Sequence, residues 1–209
     1  MTASQNPVDP TLRPNIIARL VRRAIVWFYR QQGWKAVQDG PVPAKCVIIA
    51  APHTSNWDFV YYLGLVTELN AQAHFMGKKA LFRWPFGGFM RAMGGVSVDR
   101  SGSNDMVQAM IAEFKRRDHF RLTIAPEGTR GSVRQWRTGF YHIALGAGVP
   151  LVMGMMDYAT KTGGLGASFM PTGDFEQDMA AVMAFYQKTT PRHPDKAMTA
   201  IVGDKGTPR

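Results

Sequence analysis

Apolar and polar positions alternate along this chain in segments whose periods change. Ile16, Ile17, Leu20, Val21, Ala24, Trp27 and Phe28 recur at helical spacing, with Arg19, Arg22, Arg23 and Arg30 falling largely elsewhere, so residues 15–31 read as an amphipathic helix. Helices are also expected over 57–69, 104–117, 139–148 and 175–188. Short apolar runs at 46–51, 73–77, 96–98, 120–125, 151–156 and 167–170 read as strands. Residues 81–93 are aromatic and glycine-rich and read as irregular. Strands alternating with helices predict an α/β domain. In open sheets of that kind, sites gather beyond the carboxyl ends of the strands. Two loops fall there: 52–58, after the run ending in Ala50-Ala51, and 126–130, after the run ending in Ala125.

The 209 residues fit one domain, since domains of about 100–200 residues are usual. We expect a lead-in and amphipathic surface helix over 1–35, the α/β domain over 36–190, and a polar basic tail over 191–209. Composition changes the picture in one respect. The formal charge is +10, and residues 10–38 hold six basic and no acidic side chains. Such a balance implies an anionic partner: nucleic acid, a membrane surface or a phosphorylated substrate. Basic residues on a helix that also carries Trp27 and Phe28 favour a membrane surface, and no nucleic-acid motif is found. No apolar run approaches the ~18 residues of a spanning helix, and the start has no leader-like pattern. The lone Cys46, inside an apolar run, reads as a packed thiol.

Two segments carry candidate chemistry. In His53-Thr54-Ser55-Asn56-Trp57-Asp58, the histidine can accept a proton near neutral pH, and a carboxylate on its other ring nitrogen would fix the tautomer. The alternative is a loop histidine followed by an aspartate that caps a helix. In Pro126-Glu127-Gly128-Thr129-Arg130, a glycine that lets backbone approach a ligand, a hydroxyl and a guanidinium suit a phosphate. The alternative there is an ordinary turn with a solvated ion pair. A strand ending in Asp99-Arg100 and the pair Lys78-Lys79 offer further cations. No serine stands in a nucleophile elbow, which favours direct attack over a covalent enzyme. The five histidines and one cysteine show no metal-ligand spacing, and no nucleotide loop is present.

Taken in order, these segments resemble the lysophospholipid acyltransferase superfamily, whose best-known members are the 1-acylglycerol-3-phosphate acyltransferases. The His-x-x-x-x-Asp motif is matched by His53 and Asp58, and the Gly-x-x-x-x-Arg strand by Gly95 to Arg100. Pro-Glu-Gly-Thr-Arg is matched in full by Pro126 to Arg130, and the hydrophobic-Pro step by Val149-Pro150. Pro52 stands where many members have asparagine, and Arg137 where a lysine is usual. The resemblance implies a central mixed sheet flanked by helices and catalysis by His53 with Asp58. It also implies acceptor binding by Lys78, Arg100, Glu127, Gly128, Thr129 and Arg130. The donor would be acyl-CoA or acyl-carrier protein, the acceptor a lysophospholipid, and no cofactor or metal is implied. The expected location is peripheral, on the cytoplasmic side of a membrane such as the bacterial inner membrane. A different lysolipid acceptor, a thioester hydrolase and a catalytically silent lipid-binding protein are the competing readings. Phe82, Trp84, Phe86 and Phe89 are expected either to line an acyl-chain path or to pack in the core.

Overall fold

The computed structural model describes residues 6–7, 15–98, 103–129, 131 and 135–197. Seven strands form one sheet: β1 (Lys35–Gln38), β2 (Lys45–Ala50), β3 (His74–Lys78), β4 (Gly95–Val98), β5 (Phe120–Ile124), β6 (Leu151–Asp157) and β7 (Thr162–Phe169). Their order is β1-β7-β6-β2-β5-β3-β4. All pairings are parallel except β6 with β7, so the sheet is mixed, as expected.

β2 lies at the centre, and its sequence shows why. Cys46 and Ile48 point to one face, Val47 and Ile49 to the other, and all four are fully buried. A strand covered on both faces reads as a continuous apolar run instead of an alternation. On the first face Cys46 and Ile48 join Tyr29, Trp34, Tyr61, Leu65 and Leu165, supplied partly by α1 (Ile16–Gln31) and α2 (Asn56–Glu68). On the second, Val47 and Ile49 meet Phe114, Phe140, Ile143 and Val182. These come from α4 (Ser103–Arg116), α5 (Gly139–Ala147) and α6 (Phe175–Tyr186). Burial pushes the Cys46 thiol up to about 12, which fits a packed, unreactive sulfur.

The sequence reading differs from the structure in three places. β1 is an additional four-residue edge strand. β7 starts five residues before the expected 167, through Gly163 and Gly164. The segment expected to be irregular, 81–93, begins inside a 3-10 turn, Lys79–Phe82, and contains a short helix α3, Gly87–Ala92.

α1 packs by one face, which includes the half-buried Phe28, and leaves much of its apolar stripe outside. Ala18 and Tyr29 are buried, whereas Ile16, Ile17, Leu20 and Trp27 are 74, 64, 59 and 64% exposed. Arg22 on the packed side donates to the Ala92 carbonyl at 3.0 Å. No described helix is long and apolar enough to cross a membrane.

Candidate active site

The turn after β2 is short because Ser55 caps α2 at once. Its hydroxyl accepts the Trp57 N–H at 3.2 Å, and Asp58, three residues into the helix, reaches back. Asp58 Oδ2 accepts the Thr54 and Ser55 N–H groups, each at 2.8 Å. The same oxygen lies 3.3 Å from His53 Nδ1. Both sequence alternatives therefore hold together: Asp58 starts the helix and also faces the histidine. Its other oxygen, Oδ1, accepts the Tyr158 hydroxyl at 2.6 Å.

Burial alone would raise the Asp58 carboxyl. Hydrogen bonds from His53, Tyr158 and the Ser55 N–H outweigh it and hold the group below the usual carboxylate range. Asp58 is thus a buried anion with its charge retained. Its side chain is 6% exposed and that of His53 22%. With Nδ1 on Asp58, Nε2 is the nitrogen left to exchange a proton with a bound molecule.

β5 runs parallel beside β2, so the turn that follows it arrives next to His53. Glu127 Oε1 accepts the His53 N–H at 3.1 Å from behind. Gly128 has φ +66°, and a Cβ there would stand 3.0 Å from Arg137 Nε. Only glycine combines that backbone with a guanidinium lying directly over it. Arg137 is fixed in turn by its N–H on the Pro126 carbonyl at 2.9 Å.

A cavity of about 750 Å³ opens against these residues. His53, Asp58, Lys78, Gly128, Thr129 and Arg137 line it, and its apolar walls include Phe59, Phe75, Met76, Phe140 and Ile143. A lining that combines His53, Lys78 and Arg137 with apolar side chains suits an amphiphile with an anionic head. The structure thus gathers His53, Asp58, Glu127, Gly128 and Thr129 at one end of the sheet, with Lys78 at the same cavity. Arg100 and Arg130 lie outside the described residues. Among the described residues no three His, Cys, Asp or Glu side chains form a metal-ligand group.

Of the two alternatives for the aromatic segment, Phe82 takes core packing, and Trp84 and Phe86 take neither. Trp84 and Phe86 are 93 and 68% exposed, and Phe82 is buried where Gly77 and Gly95 lack side chains. Only Leu81 of that stretch reaches the cavity. Sequence reasoning also left Tyr158 out of the site. It lies a hundred residues beyond Asp58 and carries no local pattern.

The architecture has a solved counterpart. It is similar to the crystal structure of the 1-acyl-sn-glycerophosphate (LPA) acyltransferase PlsC from Thermotoga maritima. The TM-score is 0.54 at 21% identity, over 79% of this chain and 76% of that one, a likeness of fold alone. Sequence narrows the class. The family model described as Acyltransferase matches residues 35–155, more than half of the chain, and the chain belongs to that family. It is 31% identical over 112 residues to the 1-acyl-sn-glycerol-3-phosphate acyltransferase of Salmonella typhimurium, covering 50% of this chain and 44% of that protein. It is 28% identical over 143 residues to the protein of the same name from Haemophilus influenzae, covering 66% and 58%. The chain spans about half the length of the curated relatives it matches.

Proposed function

We propose that this protein transfers a fatty acyl group from an acyl thioester, acyl-CoA or acyl-carrier protein, to the free hydroxyl of 1-acylglycerol-3-phosphate, giving phosphatidic acid. The observation that carries the reading is the 3.3 Å approach of His53 Nδ1 to a buried, ionised Asp58 at the wall of a cavity lined by both cationic and apolar side chains. His53 Nε2 takes the acceptor's hydroxyl proton as the oxygen attacks the thioester carbonyl. The tetrahedral intermediate collapses with loss of the thiolate, which takes the proton back from His53. Asp58 holds the ring and stabilises the imidazolium between the two transfers. Arg137, Lys78, Gly128 and Thr129, with Arg100 and Arg130, bind the acceptor phosphate.

The same reading places the protein on the cytoplasmic face of an anionic membrane, where acceptor and soluble donor meet. Its support is the exposed stripe Ile16, Ile17, Leu20 and Trp27, flanked by the exposed Arg19 and Arg23. Apolar burial and about 1 kcal/mol per surface-facing basic residue would act together there.

The test is to incubate pure protein with a panel of lysolipids and both donor types, then identify products by mass. Phosphatidic acid from lysophosphatidate, with stoichiometric thiol release, is expected. Thiol release without a lipid product would identify a hydrolase; no turnover with any pair would leave a lipid-binding protein. In parallel, Leu20→Gln with Trp27→Gln should reduce sedimentation with phosphatidylglycerol vesicles while the melting temperature holds. Unchanged sedimentation would remove α1 from the membrane contact.

A further inference from the structure

Asp58 has a donor that a simple His–Asp pair does not need. Tyr158 follows directly on β6, the neighbour of β2 on the side away from β5. Its hydroxyl meets Asp58 Oδ1 at 2.6 Å, a short, charge-assisted bond. Burial, and then the Asp58 carboxylate, push the Tyr158 phenol well above its ordinary range, so the oxygen keeps its proton and acts as donor.

The ring is held on several sides. Trp34 stands edge-on to it at 5.0 Å and Tyr61 at 6.0 Å. The Arg192 guanidinium lies 5.8 Å from its centre and 5.7 Å from that of Trp57, the α2 residue beside Asp58. The chain beyond α6 completes the frame. The Tyr158 N–H donates to the Thr190 carbonyl at 2.9 Å, and the His193 N–H donates to the Thr54 hydroxyl at 3.2 Å. Residues 190–193 thus tie the turn after β6 to the turn after β2. The first residues of the stretch expected to be a tail form this strap.

We propose that Tyr158 is a positioning residue for acyl transfer: its hydroxyl fixes the plane of the Asp58 carboxylate that faces His53 Nδ1, and it draws charge from the carboxylate, which tunes His53 as a base. The proposal rests on the His53–Asp58 reading above. The Thr54 and Ser55 N–H groups hold Oδ2, so losing the Tyr158 bond loosens the plane of the carboxylate without taking Oδ2 off His53. Each donor on the carboxylate also weakens its pull on an imidazolium. The titratable and charged groups facing this unit are few. Glu127, on the turn after β5, accepts the His53 N–H. Arg192, on the strap, covers Tyr158. Asp58 itself comes from α2.

Tyr158→Phe removes the hydroxyl and keeps the ring. The test follows the His53 imidazole by NMR across a pH titration in the full chain, wild type and variant, and measures kcat and acceptor KM beside it. With one donor gone, Asp58 is the stronger partner for an imidazolium. His53 should therefore titrate at higher pH in the variant, and the acid limb of kcat/KM should move the same way. A fall in kcat of about ten- to hundredfold is expected, the scale of a hydrogen bond to a charged group. Acceptor KM should stay close to wild type. A merely structural tyrosine would lower the melting temperature and leave the His53 titration where it is, and that result overturns the proposal. Arg192→Gln guards against a misfolded variant: it leaves the hydroxyl in place and should move the titration less than Tyr158→Phe. An equal or larger shift would assign the effect to the strap instead. The titration reads the Tyr158–Asp58–His53 link in the free protein. Absence of acyl transfer by the wild type, with the titration shifted as expected, would thus fault the reaction and not the link.

Discussion

The two ends of the β2–β5 pair both bury charge, and they treat it in opposite ways. At the amino end Arg121 is 2% exposed, on a strand whose other side chains, Thr123 aside, are apolar. Its Nε donates to the Pro43 carbonyl at 2.8 Å, Nη1 to Ala71 at 2.7 Å and Nη2 to Pro7 at 2.9 Å. The buried Asn6 completes this closure, accepting the Val42 N–H at 2.8 Å and donating to the Leu69 carbonyl at 2.8 Å. At the carboxyl end, 6% exposed Glu127 accepts the His53 N–H through Oε1, while its Oε2 has no hydrogen-bond partner among the described residues. Beside it His53 faces a cavity. Burying a charge is costly unless hydrogen bonds replace its water. The amino end meets that requirement fully and is closed. The carboxyl end meets it in part and is open, which is how a site that must still receive a ligand differs from a clasp.

The comparison breaks most sharply under two substitutions. His53→Ala should lower acyl transfer by about 10²–10⁴-fold, the range for a general base, equivalent to about 3–5 kcal/mol of barrier, with the urea midpoint nearly unmoved. Arg121→Met should do the reverse. It strands several carbonyls in the core and should remove about 3 kcal/mol of stability, with turnover per folded molecule unchanged. Steady-state rates and urea melts on the same preparations check both. If the two variants lost stability and activity in parallel, the division between a closed end and a working end would fail.

What could be read from sequence follows the range over which each feature acts. The central strand β2 and the long helices were legible because their patterns are local. β1 was not, because four residues at a sheet edge carry too little periodicity to stand out. The start of β7 was missed for a packing reason. Gly163 and Gly164 look like loop residues, yet a Cβ at the first would sit 2.6 Å from Tyr29 Oη and at the second 2.9 Å from Met155 Cε. Glycine there permits close approach of an α1 side chain and of the neighbouring strand. The contact of His53 with Asp58 was legible because five residues of chain carry it. Arg137 showed only as an echo of a family segment, and its place over Gly128 depends on the turn between them. Tyr158 and Arg192 reach the site through sheet order and a strap, which no spacing announces.

The smallest expected effect tests the open end directly. Burial pushes the Glu127 carboxyl above its ordinary value of 4.5. Bonds from its own N–H and that of His53 pull it down, and the Asp58 charge nearby pushes it up again. A group raised on folding contributes stability that is present below its unfolded value and is lost as pH rises through its folded one. Wherever Glu127 is ionised, its charge therefore works against the fold. Glu127→Gln keeps the volume and the oxygen that accepts the His53 N–H, and it removes the charge. It should raise the unfolding free energy near pH 7, read from urea melts, by up to about 2 kcal/mol, the scale of favourable single substitutions. The gain should shrink as the pH falls through the carboxylate range and vanish below it, where wild-type Glu127 is neutral as well. Arg121→Met carries no such pH signature, because a guanidinium stays charged throughout. A gain that persists unchanged at pH 3 would trace to packing, and no gain at pH 7 would mean that the Glu127 charge is compensated in the free protein. The expected loss of the gain at low pH, by contrast, identifies an anion held at a cost, the condition under which a cationic or proton-donating partner arriving with substrate gains most from meeting it.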